Sequence, residues 1–312
     1  MSTLFRSHIR DLGSLTETKP MTIRNVDRIL RSLRQKEGGG FIVRRPFPTA
    51  EISYVDPFLL LDEMGPADYG PGEAVGAPDH PHRGFETVTY MLDGEFEHED
   101  SAGHKGKLSA GDVQWMTAGH GVIHSEVPSA RIVKEGGRVH GFQIWVNLPK
   151  RDKLMAPRYQ EIAAAKIPVA ASPDGKARGK IIAGSAFGRS AVIETRIPIV
   201  YQDWTIEPGG EVSLALDREI HPFVYVFEGE AEVGAELRQL AEGEVAIFGE
   251  GDTVKLSVSK DAKKAARMLL LGGKPLNEPV ARYGPFVMND DLEIRQAMLD
   301  YQFGKLGKIA RA

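Results

Sequence analysis

The sequence predicts an all-β protein made of two copies of one small β-barrel or sandwich, with a short helix at the C-terminus. Three observations carry that prediction. The 312 residues include 34 glycines and 19 prolines, which punctuate short apolar or alternating segments. Thr87 to Glu99, TVTYMLDGEFEHE, reads as strand, Asp-Gly turn and strand, the strongest short hairpin signal. The pattern then returns. PFVYVFEGEAEV lies over TVTYMLDGEFEH when Gly229 is set on Gly94, an offset of 135, and LAEGEVAIFGEGD lies over LSAGDVQWMTAGH at an offset of 132.

Taken in order, residues 1–20 carry no pattern and read as a flexible leader, with Met21 as an alternative start. Ile23, Val26, Leu30 and Leu33 have helical spacing. The first module spans 21–155. Beyond its hairpin, Ser109 to Gly119 reads as a turn and a strand, and His140 to Pro149 as a further strand that Pro149 ends. Residues 156–189, with a Pro-Asp-Gly turn, read as a linker, and 190–312 form the second module. In its last stretch Asn289 or Asp290 caps a helix, Ile294, Ala297, Met298 and Tyr301 share one face, and Gly304 stops it.

Composition narrows the function. Hydrophobic residues at 42% and charged residues at 26% are ordinary for a globular protein. No apolar run reaches the length of a membrane span and the N-terminus lacks a secretory core, so a cytoplasmic location is expected. The absence of cysteine excludes disulfides and thiolate metal sites, leaving His, Asp, Glu and water as metal ligands. The net charge of −4 argues against direct nucleic-acid binding by the whole chain. Residues 1–47 nevertheless hold ten Lys/Arg against four Asp/Glu, and Arg24, Arg28, Arg31 and Arg34 form either a phosphate-touching patch or a solvated face.

HPHRGFE, residues 80–86, is the chemical signal. Alternate residues of a strand share a face, so His80, His82, Gly84 and Glu86 would point one way. GHGVIHSE repeats the i, i+2 spacing with His124 and Glu126. On neighbouring strands the two pairs could make a three-histidine, one-carboxylate site with open positions, suited to Fe(II) and also to Mn, Ni, Co, Cu or Zn. The alternative is a polar cluster satisfied by hydrogen bonds. Glu86 could be a further ligand, a general base or an acceptor orienting an imidazole. His98, His104, His120 and His140 lack such pairing and read as structural. The repeat acts as a control: carried forward, His80 and His82 fall on Ala215 and Asp217, Glu86 on His221, and His124 and Glu126 on Leu256 and Val258.

HPHRGFETVTYMLDGEFEHEDSAGH, GDVQWMTAGHGVIHSE and GPFVMNDDLEIRQAMLDYQFGKLG resemble the pirins, a family of bicupins, and the likeness runs from about Met21 to the C-terminus. The resemblance implies two tandem cupin barrels, each a double-stranded β-helix or jelly roll, with strand where Ile23 to Leu33 show helical spacing. It implies one metal, commonly iron, held in the N-terminal cupin by His80, His82, His124 and Glu126, and a C-terminal cupin without metal. Two functions follow from it. One is a flavonol dioxygenase that opens a quercetin-like ring with O2 and releases carbon monoxide, Glu126 or Glu86 taking the proton and Phe85, Trp115 and Trp145 lining the substrate site. The other is a redox-responsive regulator that binds a transcription factor or metabolic enzyme without turnover. A monomer is expected, with a small aromatic substrate or a regulatory protein as its partner; a purely structural metal is the third reading.

Overall fold

The computed structural model describes residues 21–311, so the leader expected at 1–20 lies outside it. The first half forms β1 (Val26–Arg31), β2 (Leu33–Glu37), β3 (Phe41–Phe47), β4 (Phe58–Tyr69), β5 (Ala77–His82), β6 (Phe85–Asp93), β7 (Phe96–Asp100), β8 (Lys105–Leu108), β9 (Val113–Thr117), β10 (Val122–Pro128), helix α1 (Ala130–Glu135) and β11 (Gly137–Asn147). The middle adds β12 (Arg158–Ile162), β13 (Val169–Ala171), β14 (Ala177–Ala183), β15 (Ser185–Ala186) and β16 (Arg189–Ser190). The second half holds β17 (Ile199–Ile206), β18 (Glu211–Ala215), β19 (His221–Glu228), β20 (Glu230–Val233), β21 (Arg238–Ala241), β22 (Glu244–Phe248), β23 (Thr253–Ser257) and β24 (Ala266–Gly273). The chain ends in β25 (Ala281–Tyr283), β26 (Phe286–Met288) and helix α2 (Asp291–Gln302).

Each module pairs a four-stranded with a seven-stranded sheet, and the strand orders coincide. The first has β5-β10-β7-β8 and β12-β9-β6-β11-β4-β3-β2; the second has β18-β23-β20-β21 and β1-β22-β19-β24-β17-β14-β13. The repeat read from two hairpins is thus a repeat of the whole double-walled barrel. Gly94 and Gly229 close the equivalent hairpins with φ of +87° and +78°, values that glycine adopts without steric cost.

The outer strands are exchanged. β1 pairs with β22 of the second module, Leu30 opposite Val245, while β12 returns to β9 of the first, Tyr159 opposite Met116. The stretch 156–189, read as a linker, therefore contributes β12 to one seven-stranded sheet and β13 and β14 to the other. The helical spacing near the start is resolved as strand, in agreement with the resemblance: a register shift between Val26 and Arg28 interrupts the alternation, so Val26 is buried in the interior of the second barrel and Leu30, four residues on, in the core between the modules. Arg24 is buried and donates to the carbonyls of Gly249 and Asp217, which removes it from the proposed basic patch; Arg28, Arg31 and Arg34 remain exposed.

The two seven-stranded sheets pack on each other. Val88, Tyr90, Trp115, Phe142 and Ile144 of the first module share one core with Tyr201, Phe223, Tyr225 and Leu269 of the second. Two hydroxyls cross it: Tyr225 donates to Glu63 at 2.5 Å and Tyr90 to Asp203 at 2.7 Å. Asp290 caps α2, accepting from the backbone N–H of Leu292 and Glu293, and Ile294 and Ala297 are buried against Phe286, Met288 and Leu306. Met298 packs at the edge of that cluster and Tyr301 stays 41% exposed. Arg83 reaches Asp300 at 2.8 Å, so α2 docks on the first module beside His82. Among the described residues no helix is long and apolar enough to cross a membrane.

Candidate metal centre

β5 and β10 are neighbours, and their register sets His80 opposite His124 and His82 opposite Val122. The cross-strand pair and the i, i+2 pair bring the three imidazoles together: their ligand-capable nitrogens lie within 4.8 Å of one another. His82 and His124 are buried and His80 half-buried. Nε2 of His80 and Nε2 of His82 are 3.0 Å apart, while Nδ1 of His80 donates to the Pro78 carbonyl at 2.7 Å, which orients the ring with Nε2 toward His82. Both ring nitrogens of His124 are buried without a hydrogen-bond partner. Burial, followed by the neighbouring imidazoles, holds His124 well below the usual imidazole pKa, and burial does the same to His82, so both are neutral near pH 7.

Each unpartnered buried nitrogen costs about 1–3 kcal/mol. Neutral imidazoles with free nitrogens facing one point are what a divalent ion at about 2.1 Å per nitrogen requires, so the residues fit a metal. Glu126 lies beside them, Oε2 at 3.9 Å from His124 Nε2. Its carboxylate is held on both oxygens: Thr89 donates to Oε1 at 2.7 Å and Gln143 to Oε2 at 2.8 Å. Thr89 faces Gln143 across β6 and β11, and Gln143 faces Asp62 across β11 and β4, so one transverse row of the seven-stranded sheet supports the carboxylate.

A cavity of about 460 Å³ opens over this cluster, lined by His80, His82, Glu126, Thr89, Gln143 and Trp145 together with Phe41, Leu60, Met64 and Phe96. Trp145 stands edge-on to His82 at 5.3 Å and lies 4.4 Å from Phe85.

A family model described as Pirin matches residues 40–146, and one described as the Pirin C-terminal cupin domain matches 201–307. The chain is 45% identical over 274 residues to a pirin-like protein of Solanum lycopersicum, spanning 88% of this chain and 89% of that one. It belongs to the pirin family. The pirin of Homo sapiens is 41% identical over 279 residues, 88% of this chain and 91% of its own. Among solved structures, a quercetin 2,3-dioxygenase from Acinetobacter baumannii is similar with a TM-score of 0.86 at 36% identity, covering 93% of this chain and 100% of that one. The fold is accordingly all-β, two tandem cupins with a short C-terminal helix.

Within this pirin fold Glu86 parts from the histidines. The i, i+2, i+6 reading assumes one unbroken strand from His80 to Glu86, but β5 belongs to the four-stranded sheet and β6 to the seven-stranded one. The corner between them is Arg83-Gly84. Gly84 has φ +87°, and a Cβ there would run into the Val287 carbonyl. The corner shifts the alternation, so Phe85 and Thr89 face the barrel interior while Glu86 shares the opposite face of β6 with Val88 and Tyr90. There Glu86 is buried against Thr117, whose hydroxyl donates to it at 2.5 Å. Burial raises its carboxyl pKa. Glu86 does not line the cavity, and its expected role as base or orienter beside the histidines is withdrawn.

Of the aromatic residues expected to line the site, Trp145 does, Phe85 backs it, and Trp115 belongs to the core between the modules. His98, 2.7 Å from Glu161, His104 against Asp100 and His140 against Glu63 have carboxylate neighbours of their own. The second module replaces the whole site. By register, Val212 faces Leu256 and Leu214 faces Val254, so Val212 and Leu214 stand where His80 and His82 do, rather than Ala215 and Asp217. With Leu256 and Val258 they fill an aliphatic interior. The offset is 132 through this pair of strands, and the extra three residues enter before the hairpin. Thr89, Gln143 and Arg282 were invisible to motif reading, because only strand register and the C-terminal crossover bring them to the cavity.

Proposed function

We propose that this pirin is a mononuclear Fe(II) protein that opens flavonols of the quercetin type with O2, releasing carbon monoxide, at the first cupin. The observation that carries the reading is the cluster of three histidines and Glu126 at the base of a largely apolar cavity of about 460 Å³, a size suited to a small aromatic molecule. The likeness to the Acinetobacter baumannii quercetin 2,3-dioxygenase supports it. His80, His82, His124 and Glu126 would hold the ion. When bound it acts as a Lewis acid toward the flavonol 3-hydroxyl and lowers its pKa.

The chain's own residues do the rest. Glu126 is the group placed to take the hydroxyl proton, leaving an electron-rich enolate for O2 to attack. Thr89 and Gln143 fix the carboxylate so that it is not free to turn toward solvent. Trp145 and Phe41 offer flat and apolar surface that excludes water from the enolate. The same donor set would accept Ni, Mn, Co, Cu or Zn.

The test is aerobic incubation of the iron-loaded chain with quercetin, following loss of the flavonol absorbance and release of carbon monoxide. Turnover that Glu126→Gln reduces by about a hundredfold or more is expected for a general base. No turnover with Fe, Ni, Mn, Co or Cu would remove the dioxygenase reading and leave a redox-responsive binding module as the account of the site.

A further inference from the structure

We propose that the mouth of the cavity carries an anion subsite, in which Arg282, laid on Trp145, takes the carboxylate of a small aromatic ligand whose hydroxyl end faces the histidines. The inference rests on the reading of the cavity as a site for a metal-chelating aromatic and names a feature of that ligand.

The charged groups lining the cavity are Glu37, Arg45, Asp62, Asp79, Glu126 and Arg282. Five of them have partners of their own. Arg45 grips Asp62 with two hydrogen bonds of 2.6 and 2.5 Å and reaches Glu37 at 2.8 Å. Asp79 takes both terminal nitrogens of Arg311, and Glu126 is held by Thr89 and Gln143. Arg282 is different. Among the described residues it makes no ion pair, and its hydrogen-bond partner is the Leu59 carbonyl at 3.3 Å.

What fixes Arg282 is stacking: its guanidinium lies 4.6 Å from the Trp145 ring. Trp145 in turn lies 5.3 Å from His82, so imidazole, indole and guanidinium follow one another along a single wall. A ligand with hydroxyls toward His80 and His82 runs along this wall and ends at Arg282. A planar guanidinium presents paired N–H donors that match a carboxylate. Desolvation and the nearby Arg45 cation oppose the charge on Arg282, while Asp62 and Glu37 favour it from beyond ion-pair distance, so its own donors stay free for an anion. Part of the side chain stays exposed, so the subsite is reached from solvent.

The placement depends on the crossover of the chain. Arg282 sits on β25, beyond the second barrel, yet lines the cavity of the first together with Gly284 and Pro285. Motif reading of the first module could not include it.

The test uses two catechols of equal shape, 3,4-dihydroxybenzoate and 3,4-dihydroxybenzamide, titrated at pH 7.5 into the full chain loaded with zinc so that the catechol is not oxidised. Binding is followed by calorimetry and by quenching of tryptophan fluorescence. The wild type is expected to favour the acid by about tenfold, the scale of one charge-assisted hydrogen bond. Arg282→Gln is expected to abolish the preference by weakening the acid alone, and Arg282→Lys to keep part of it. Equal affinity for acid and amide in the wild type would overturn the subsite, as would a preference that survives in Arg282→Gln. If neither catechol binds the zinc-loaded chain, the reading of the cavity fails, and the subsite with it. Because the readout is binding, absence of quercetin turnover leaves the outcome intact.

Discussion

At the residue scale the contrast between Glu126 and Glu86 is the main result. Both are buried glutamates near an HxH motif, and only register and strand parity tell them apart. His82→Ala or His124→Ala is expected to abolish stoichiometric metal, measured by elemental analysis after loading and gel filtration; retention of one ion in both variants would refute the assignment. Glu86→Gln is expected to change metal affinity less than twofold, since the side chain faces the other module, while costing about 1 kcal/mol of stability through the altered bond to Thr117. A tenfold loss of affinity in Glu86→Gln would return it to the site. The unpartnered nitrogens of His124 also predict that ligand removal is felt in stability. At a metal concentration 100 times the Kd, binding to the native state alone adds about 2.7 kcal/mol, so chelation is expected to lower Tm by several degrees. The HxH and HxE motifs were legible because i, i+2 spacing in a strand is a local property. Thr89 and Gln143 were not, because their relevance exists only across strands.

At the element scale, α2 and β26 brace the strand that carries the histidines. Arg83, next to His82, bridges to Phe286 through the backbone, donates to the His120 carbonyl at 2.6 Å and pairs with Asp300 at 2.8 Å. Pairing with Lys305 and then with Arg83 holds the Asp300 carboxyl well below the usual carboxylate range. A depressed folded-state pKa contributes stability that is present above the unfolded value near pH 4 and is lost as pH falls through the folded value. Urea unfolding at pH 5 and pH 3 is therefore expected to show a larger loss of stability in the wild type than in Asp300→Asn. Equal losses would show that Asp300 is not the linked group. The cap of α2 at Asp290 and its stop at Gly304 were readable from sequence, since capping is chemistry within one turn. The place where the helix docks was not. Likewise β1 looked helical because Val26, Leu30 and Leu33 fit one helix face, whereas in the strand a register shift sends Val26 and Leu30 to opposite sides of the sheet, into different cores.

At the scale of the whole molecule the modules are joined twice, by exchanged strands and by a common core. β1 completes the second sheet and β12 the first, and Trp115, Tyr90, Tyr201, Tyr225, Phe142 and Phe223 lie where the seven-stranded sheets meet. Calorimetric unfolding of the metal-free chain is expected as one transition, with two resolved transitions as the outcome that would contradict the shared core. Tyr225→Phe strips Glu63 Oε2 of its donor, because Arg44 and His140 both engage Oε1. The expected cost is about 1–3 kcal/mol, with metal content unchanged. A variant as stable as the wild type would show that this buried contact contributes nothing to the joint.

The sequence alone establishes that the chain is a repeated all-β fold, that its second copy lacks the HxH and HxE motifs of the first, and that two His-bearing strands offer a candidate site. Those are consequences of short-range periodicity and of one copy read against another. Only the folded chain shows which side of β6 Glu86 occupies, which residues hold Glu126, and that Arg282 from beyond the second barrel lines the cavity of the first. The physical reason is the same in each case. A corner at Gly84 shifts strand parity, and sheet register and chain crossover join residues that sequence separation keeps apart.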